Sequence, residues 1–223
     1  MKPLSERFSI RLFVAVLLIL VSFGMLWIIV HEVIVEKEKD IDRAITDALN
    51  AHINHNLNRF MEGISFLASR YFLMAGYIIL ISCYLFYYRK RIVAASVAII
   101  GIVGFLLVTV LKNVFQRNRP LHPLMERLPN YSFPSGHATS GFIFYGLLIY
   151  LAWQGKFSTL YKCILSFFLL SVSLLIGISR IYLNMHYPSD VLAGFCLGYA
   201  WLMTSILLLR WLQMPATDGI KKL

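Results

Sequence analysis

Three short segments set cations, histidines and one carboxylate among strongly apolar stretches: KNVFQRNRP from Lys112 to Pro120, PSGH from Pro134 to His137, and SRIYLNMHYPSD from Ser179 to Asp190. Lys112 and Arg119 stand seven residues apart, so if a helix persists that far both side chains project the same way. Buried or half-buried cations are costly in a membrane unless they meet anions. The nearby carboxylates, Asp190 and Glu126, do not balance Lys112, Arg117, Arg119, Arg127 and Arg180. A phosphate group completes the balance, and arginine offers it paired donors in a planar fork. Snorkelling to lipid headgroups is the competing account, and it weighs more for Arg117 and Arg127 than for Lys112 and Arg119.

The PSGH segment adds donors of another kind. Pro134 suits a turn or a helix start, Ser135 brings a hydroxyl, and Gly136 lets backbone approach an oxyanion with no Cβ in the way. A helix beginning here aims its unpaired N–H groups and positive dipole end at the same anion. His137 then stands at the site with a proton to give, although a histidine at a helix start is, alone, more often a cap. In the third segment His186 precedes Asp190 by four residues. With Pro188 in the first turn of a helix, Asp190 lies about one turn away and accepts a hydrogen bond from the imidazole. Such a bond fixes the tautomer and leaves the other ring nitrogen as a lone-pair nucleophile. A structural His–Asp clamp is the bland alternative.

The elements that must position these groups are membrane helices. Of 223 residues, 59% are hydrophobic and only 14% charged, too apolar for an ordinary soluble domain of this size. Uncharged runs extend from Leu12 to His31, Tyr71 to Tyr88, Ile92 to Leu111, Leu128 to Gly155, Cys163 to Ser179 and Val191 to Leu209. A bilayer core about 30 Å thick takes roughly 20 helical residues to cross, so these predict six transmembrane helices, the fourth once its polar start is trimmed. The runs lack the alternation of a barrel, so the fold class is all-α. No repeat, low-complexity tract or linker divides the chain, which reads as one domain over residues 1–223. The first run is too long for a signal h-region and has no small-x-small cleavage site, so it is expected to stay as a helix.

Six spans leave both termini on one side. That side carries eleven Lys/Arg against two acids, a net +9, while the other carries ten against nine, a net +1. Positive residues stay in the cytoplasm, so both termini are expected there and all three segments outside, in an integral plasma (inner) membrane protein. Topology thus accounts for the basic charge, and no basic stripe with interleaved aromatics suggests nucleic acid. Cys83, Cys163 and Cys196 fall inside spans and read as small apolar packing residues.

Between the first two spans, roughly Lys37 to Arg70, the residues Ile41, Ile45, Leu49, Ile53, Leu57, Met61 and Ile64 recur at three- and four-residue intervals. They predict an amphipathic helix on the outer surface, capped by Asp40 or Asp42 and serving as lid or brace, or touching a substrate tail. His52 and His55 share a face there, but no third ligand makes a metal site. The sequon at Asn130 lies so near the proposed site that a glycan would obstruct it, and it reads as accidental.

Read together, K-x6-RP from Lys112, PSGH, and SR-x5-H-x3-D from Ser179 resemble the three-part signature of the type 2 phosphatidic acid phosphatase family. No carboxylate cluster for Mg²⁺ stands outside the surface helix, so a metal-independent phosphatase with no cofactor is expected, and the resemblance implies that His186 attacks phosphorus to form a phosphohistidine. It implies that Asp190 orients His186, that His137 protonates the leaving oxygen, and that Lys112, Arg119, Arg180, Ser135 and the Gly136 backbone hold the phosphate. The implied substrates are lipid phosphates or diphosphates at the outer face. Undecaprenyl diphosphate is favoured because the orientation suits carrier-lipid recycling, and phosphatidylglycerophosphate, phosphatidic acid and lipid A phosphates are the alternatives. A lipid phosphotransferase is the runner-up within enzymes. A transporter or inactive lipid-binding protein is the reading from another class, disfavoured because these charges cluster at span ends rather than midplane. Oligomeric state is not legible.

Overall fold

The computed structural model describes residues 4–36, 40–51, 53–126 and 129–212. Among them the chain is all helical, with no strand: α1 (Leu4–Val30), α2 (Asp40–Asn50), α3 (His55–Phe66), α4 (Arg70–Ser82), α5 (Arg91–Phe115), α6 (Gly136–Gln154), α7 (Thr159–Tyr182) and α8 (Pro188–Leu212). A π-helical turn extends α1 through Val35 and another extends α4 through Tyr87. Five stretches are long and apolar enough to cross a membrane: Leu12–Val35, His55–Tyr87, Arg91–Phe115, Thr159–Tyr182 and Pro188–Arg210. The predicted fourth span corresponds to α6, which is shorter, begins with the polar GHATSG and is not among the five.

α6 is nevertheless the centre of the bundle, packed against α5, α7 and α8. Its Ile143 and Leu147 close one apolar cluster with Val97, Ile100 and Leu202. Its Phe144 and Tyr145 close another with Leu73, Leu169 and Ile176. The outward faces carry large apolar side chains such as Ile79, Leu160 and Phe167, each 70% exposed or more, as expected where the surrounding solvent is lipid. Of the three cysteines only Cys196 is buried. Cys83 and Cys163 sit on exposed faces, so the packing role expected for them does not hold.

The helix predicted over Lys37 to Arg70 is two helices. The chain breaks after Asn50 and restarts where Asn54, in extended backbone, caps α3 by accepting from the Leu57 N–H at 2.9 Å. Its apolar stripe divides accordingly. On α3, Leu57 and Met61 pack beneath Tyr182, Leu183 and Met185, and Ile64 joins the core. On α2, Ile41 is 78% and Ile45 42% exposed, and the buried residues are Asp42 and Thr46. Asp42 is therefore no exposed cap. His52, like Lys37–Lys39 and Arg127, lies outside the described residues.

Candidate active site

α5 does not continue to Arg119. Gln116 adopts the left-handed conformation (φ 47°) and its N–H closes back on the Lys112 carbonyl, which ends the helix at Phe115, five residues before Pro120. Lys112 and Arg119 thus do not share a helix face. They converge instead on the loop that follows. The Lys112 ammonium donates to the Tyr131 and Ser132 carbonyls. Arg119 donates from Nε to the Asn130 carbonyl at 2.8 Å, from Nη2 to the Asn130 side chain, and from Nη1 to the Met185 carbonyl at 2.7 Å. Asn130, the sequon residue, is a ligand of Arg119.

His186 sits in the turn between α7 and α8. The Met185 and His186 N–H groups both donate to the Arg180 carbonyl, which folds the turn back onto the end of α7. The ring is buried. Its Nδ1 lies 3.2 Å from Ser132 Oγ, and the Ser132 hydroxyl is itself given to Asp190 Oδ2. With that hydroxyl proton committed, Ser132 accepts from Nδ1–H, and the Nε2 lone pair is left facing Arg119 Nη1 at 3.3 Å. Nδ1 stands 3.6 Å from Asp190 Oδ2, too far for the direct hydrogen bond expected from the His-x3-Asp spacing. The serine intervenes because α8 starts at Pro188 and points Asp190 toward the Ser132 loop as well as toward the ring. Burial first, and then the charges of Lys112, Arg119 and Arg180, push the His186 ring well below the ordinary imidazole range, so at neutral pH it is uncharged.

Asp190 is fully buried, and its remaining lone pairs are used. Oδ2 also accepts from the Tyr187 N–H at 3.0 Å, and Oδ1 accepts from Arg117 Nη1. Pro188 is the first residue of α8, as predicted. Arg180, on the last turn of α7, donates to Ser65 of α3 at 2.6 Å, while its buried Nε has no hydrogen-bond partner among the described residues. That unspent donor suits an anion.

Ser135 caps α6, its hydroxyl accepting from the Ala138 N–H and its own N–H donating to the Asp190 carbonyl at 2.9 Å. The helix thus opens at Gly136, and a Cβ there would lie 3.9 Å from Lys112 Cε, so the lysine stem runs alongside the glycine. Gly194 of α8 is needed for close approach: a Cβ on it would lie 2.9 Å from the Ser135 carbonyl, backbone that cannot yield. His137 follows on the first turn of α6, within electrostatic reach of Arg180, His186, Arg119 and Lys112. All eight residues expected at the site, Lys112, Arg119, Ser135, Gly136, His137, Arg180, His186 and Asp190, therefore gather at one end of the bundle.

Sequence reasoning missed three participants. Ser132 is dismissed there with the sequon. Arg117 is given over in large part to headgroup snorkelling, yet it is buried and paired to two carboxylates, Asp42 at 2.7 Å and Asp190. Burial opposes its charge, but Asp190 and Asp42 outweigh burial and push it above the ordinary guanidinium value. Asp42, more than a hundred residues from Asp190 along the chain, gives one sequence no signal at all, while Glu126, the other expected acid, is exposed. With Arg117 matched by these two acids, Lys112, Arg119 and Arg180 leave a surplus of positive charge suited to a phosphate dianion. Ser132→Ala is expected to lower turnover by about 10- to 100-fold with little change in thermal stability, because the Nδ1 proton then loses its acceptor. Kinetics and a melting curve on the purified variant check it, and unchanged kcat would remove Ser132 from the relay.

A helical membrane bundle closed at one end by cations around a buried imidazole is the architecture of an integral membrane protein that handles an anion. The PAP2 superfamily model matches residues 90–214, and the chain belongs to that superfamily. It is 33% identical over 158 residues to phosphatidylglycerophosphatase B of Bacillus subtilis (strain 168), covering 70% of this chain and 77% of that relative. It is 28% identical over 177 residues to undecaprenyl-diphosphatase of Sulfolobus acidocaldarius, covering 77% of this chain and 79% of that one. Among solved structures, a transmembrane PAP2-type phosphatidylglycerolphosphate phosphatase from Bacillus subtilis matches with a TM-score of 0.81 at 27% identity, over 88% of this chain and 98% of its own. Aquifex aeolicus LpxE matches with a TM-score of 0.56 at 25% identity, over 74% and 93%.

Proposed function

We propose that the protein is a membrane lipid phosphate or diphosphate phosphatase that works through a phosphohistidine at the extracytoplasmic face. The observation that carries this reading is the His186 ring, with Nδ1 tied through Ser132 to Asp190 and Nε2 turned toward Arg119. In this mechanism the Nε2 lone pair attacks phosphorus as the bond to the lipid oxygen breaks, and His137 gives that oxygen a proton. Lys112, Arg119, Arg180, the Ser135 hydroxyl and the Gly136 N–H neutralise the equatorial oxygens, where phosphoryl transfer needs most help. Water, deprotonated by His137, then attacks phosphorus and the P–N bond breaks to release phosphate.

In the same reading α6 is the sixth span, shortened because its polar first turns line the site. Both termini are cytoplasmic, and the headgroup enters from outside while its chain stays in lipid. No metal or cofactor takes part: both acids of the site are bound to Arg117, and the cations supply the charge a metal would. Undecaprenyl diphosphate is the leading substrate. Phosphatidylglycerophosphate is the second reading, supported by the 33%-identical relative of that specificity.

The test is phosphate release from a panel of purified lipid phosphates and diphosphates in detergent, with and without excess chelator. Release that persists in chelator and is blocked by vanadate is expected. Activity lost on chelation and restored by Mg²⁺ would overturn the metal-free mechanism, and label recovered in a second lipid would make the protein a phosphotransferase.

A further inference from the structure

We propose that Asp42 is a positioning residue for this reaction, coupling α2 to the nucleophile through Arg117 and Asp190. The inference rests on the phosphatase reading but concerns a residue outside the stretch 90–214 that the superfamily model matches. An amphipathic helix ordinarily buries its apolar stripe. α2 does the reverse, turning Ile41 and Ile45 outward and burying Asp42 and Thr46 against the ends of α7 and α8. The contact that holds it is polar. Asp42 accepts from Arg117 Nη2 at 2.7 Å, from the Ser189 N–H at 2.8 Å and from the Ser189 hydroxyl at 2.6 Å.

A buried carboxylate with three donors pays off in geometry rather than in stability. Arg117 is fixed on three sides: Asp42 takes Nη2, Nη1 donates to Ser189 Oγ at 2.9 Å and to Asp190, and the guanidinium carbon lies 4.2 Å from the centre of the Tyr187 ring. Held there, it occupies Oδ1 of Asp190 and leaves Oδ2 for Ser132, which holds His186. An unbroken chain of buried polar groups thus runs from α2 to Nδ1 of His186, the ring whose other nitrogen attacks. Ser189, in the first turn of α8, fastens Asp42 to the same helix that carries Asp190. Without Asp42, Arg117 has one carboxylate instead of two and is free to draw Asp190 away from Ser132.

Asp42→Asn in the full chain, purified in detergent, is expected to lower kcat by about 100-fold, the cost of a small misplacement of a reacting group, with KM within about threefold. Asp42→Glu is expected to recover part of that loss. Thr46→Val, which alters the same buried face without touching the charge, is expected to stay within about twofold of the parent. Combining Asp42→Asn with Arg117→Lys is expected to cost no more than the worse single change, since both break one chain. Histidine ¹⁵N NMR reads the coupling without turnover: Asp42→Asn shifts the His186 ring signals, assigned by their loss in His186→Ala, and leaves those of His31 and His55 in place. Unchanged kcat, a Thr46→Val loss equal to that of Asp42→Asn, or unmoved His186 signals would each overturn the proposal. Should the parent protein release no phosphate from any lipid, the phosphatase reading falls while the NMR result still decides the coupling.

Discussion

His186→Ala is expected to reduce phosphate release to background, a loss of more than about 10⁴-fold, because the variant lacks the nitrogen that attacks phosphorus in the proposed mechanism. The loss should be chemical and not a failure to fold. The turn that carries His186 is built from backbone bonds to the Arg180, Ser179 and Ile181 carbonyls and from Arg119 holding the Met185 carbonyl. None of these involves the imidazole. Removing the ring costs its contacts with Ser132 and Arg119 and leaves a small cavity, about 2–4 kcal/mol together, which is below the stability of an ordinary domain. Two measurements decide the matter. Steady-state release in detergent gives the loss, and brief incubation with labelled substrate tests for an acid-labile phosphoryl group on the parent protein that the variant lacks. Full activity in a purified, folded variant would remove His186 from the chemistry.

Asp190→Asn is expected to cost on the order of 10³–10⁴-fold in kcat while the protein remains folded. The carboxylate receives the Ser132 hydroxyl, and with it the orientation of the His186 ring, and it opposes the positive charge that develops there as the P–N bond forms. An amide lacks that charge and can present its NH₂ to Ser132, which then turns its hydroxyl away and misdirects Nδ1. Removing one member of a buried ion pair usually destabilises strongly, because the partner is stranded. Here Arg117 is not stranded, because it keeps Asp42. The expected signature is therefore a large fall in kcat with a near-parental melting temperature. A variant that loses both together would mean that Asp190 is structural first.

The architecture behind these expectations was legible to different depths along the chain. The apolar runs were long and clear enough to mark the membrane helices, because a bilayer demands about twenty apolar residues in succession and few other solvents do. The run predicted as the fourth span corresponds to α6, whose polar opening GHATSG leaves it outside the five stretches long and apolar enough to cross a membrane. The stripe from Ile41 to Ile64 kept helical spacing across a break, because periodicity does not register the Asn54 cap that restarts the helix. Nor does it say which face is buried, and in α2 the polar face is.

Six of the eight residues expected at the site lie at helix termini, where local rules of capping and helix start apply, while Arg119 comes from the loop after α5 and His186 from the turn before α8. Pro188 opens α8 and Ser135 caps α6 for reasons visible within a few residues. The composition and the three spaced segments by themselves determined an all-helical protein with helices of membrane-spanning length and the set of cations and histidines that gather at one end of it. Only the tertiary structure decided how the site is wired: that Ser132 stands between His186 and Asp190, and that Arg117 lies inside with Asp42 as its counter-ion. Hydrogen bonds between groups 54 to 75 residues apart depend on how helices pack, and packing is a property of the whole bundle that no local pattern of residues encodes.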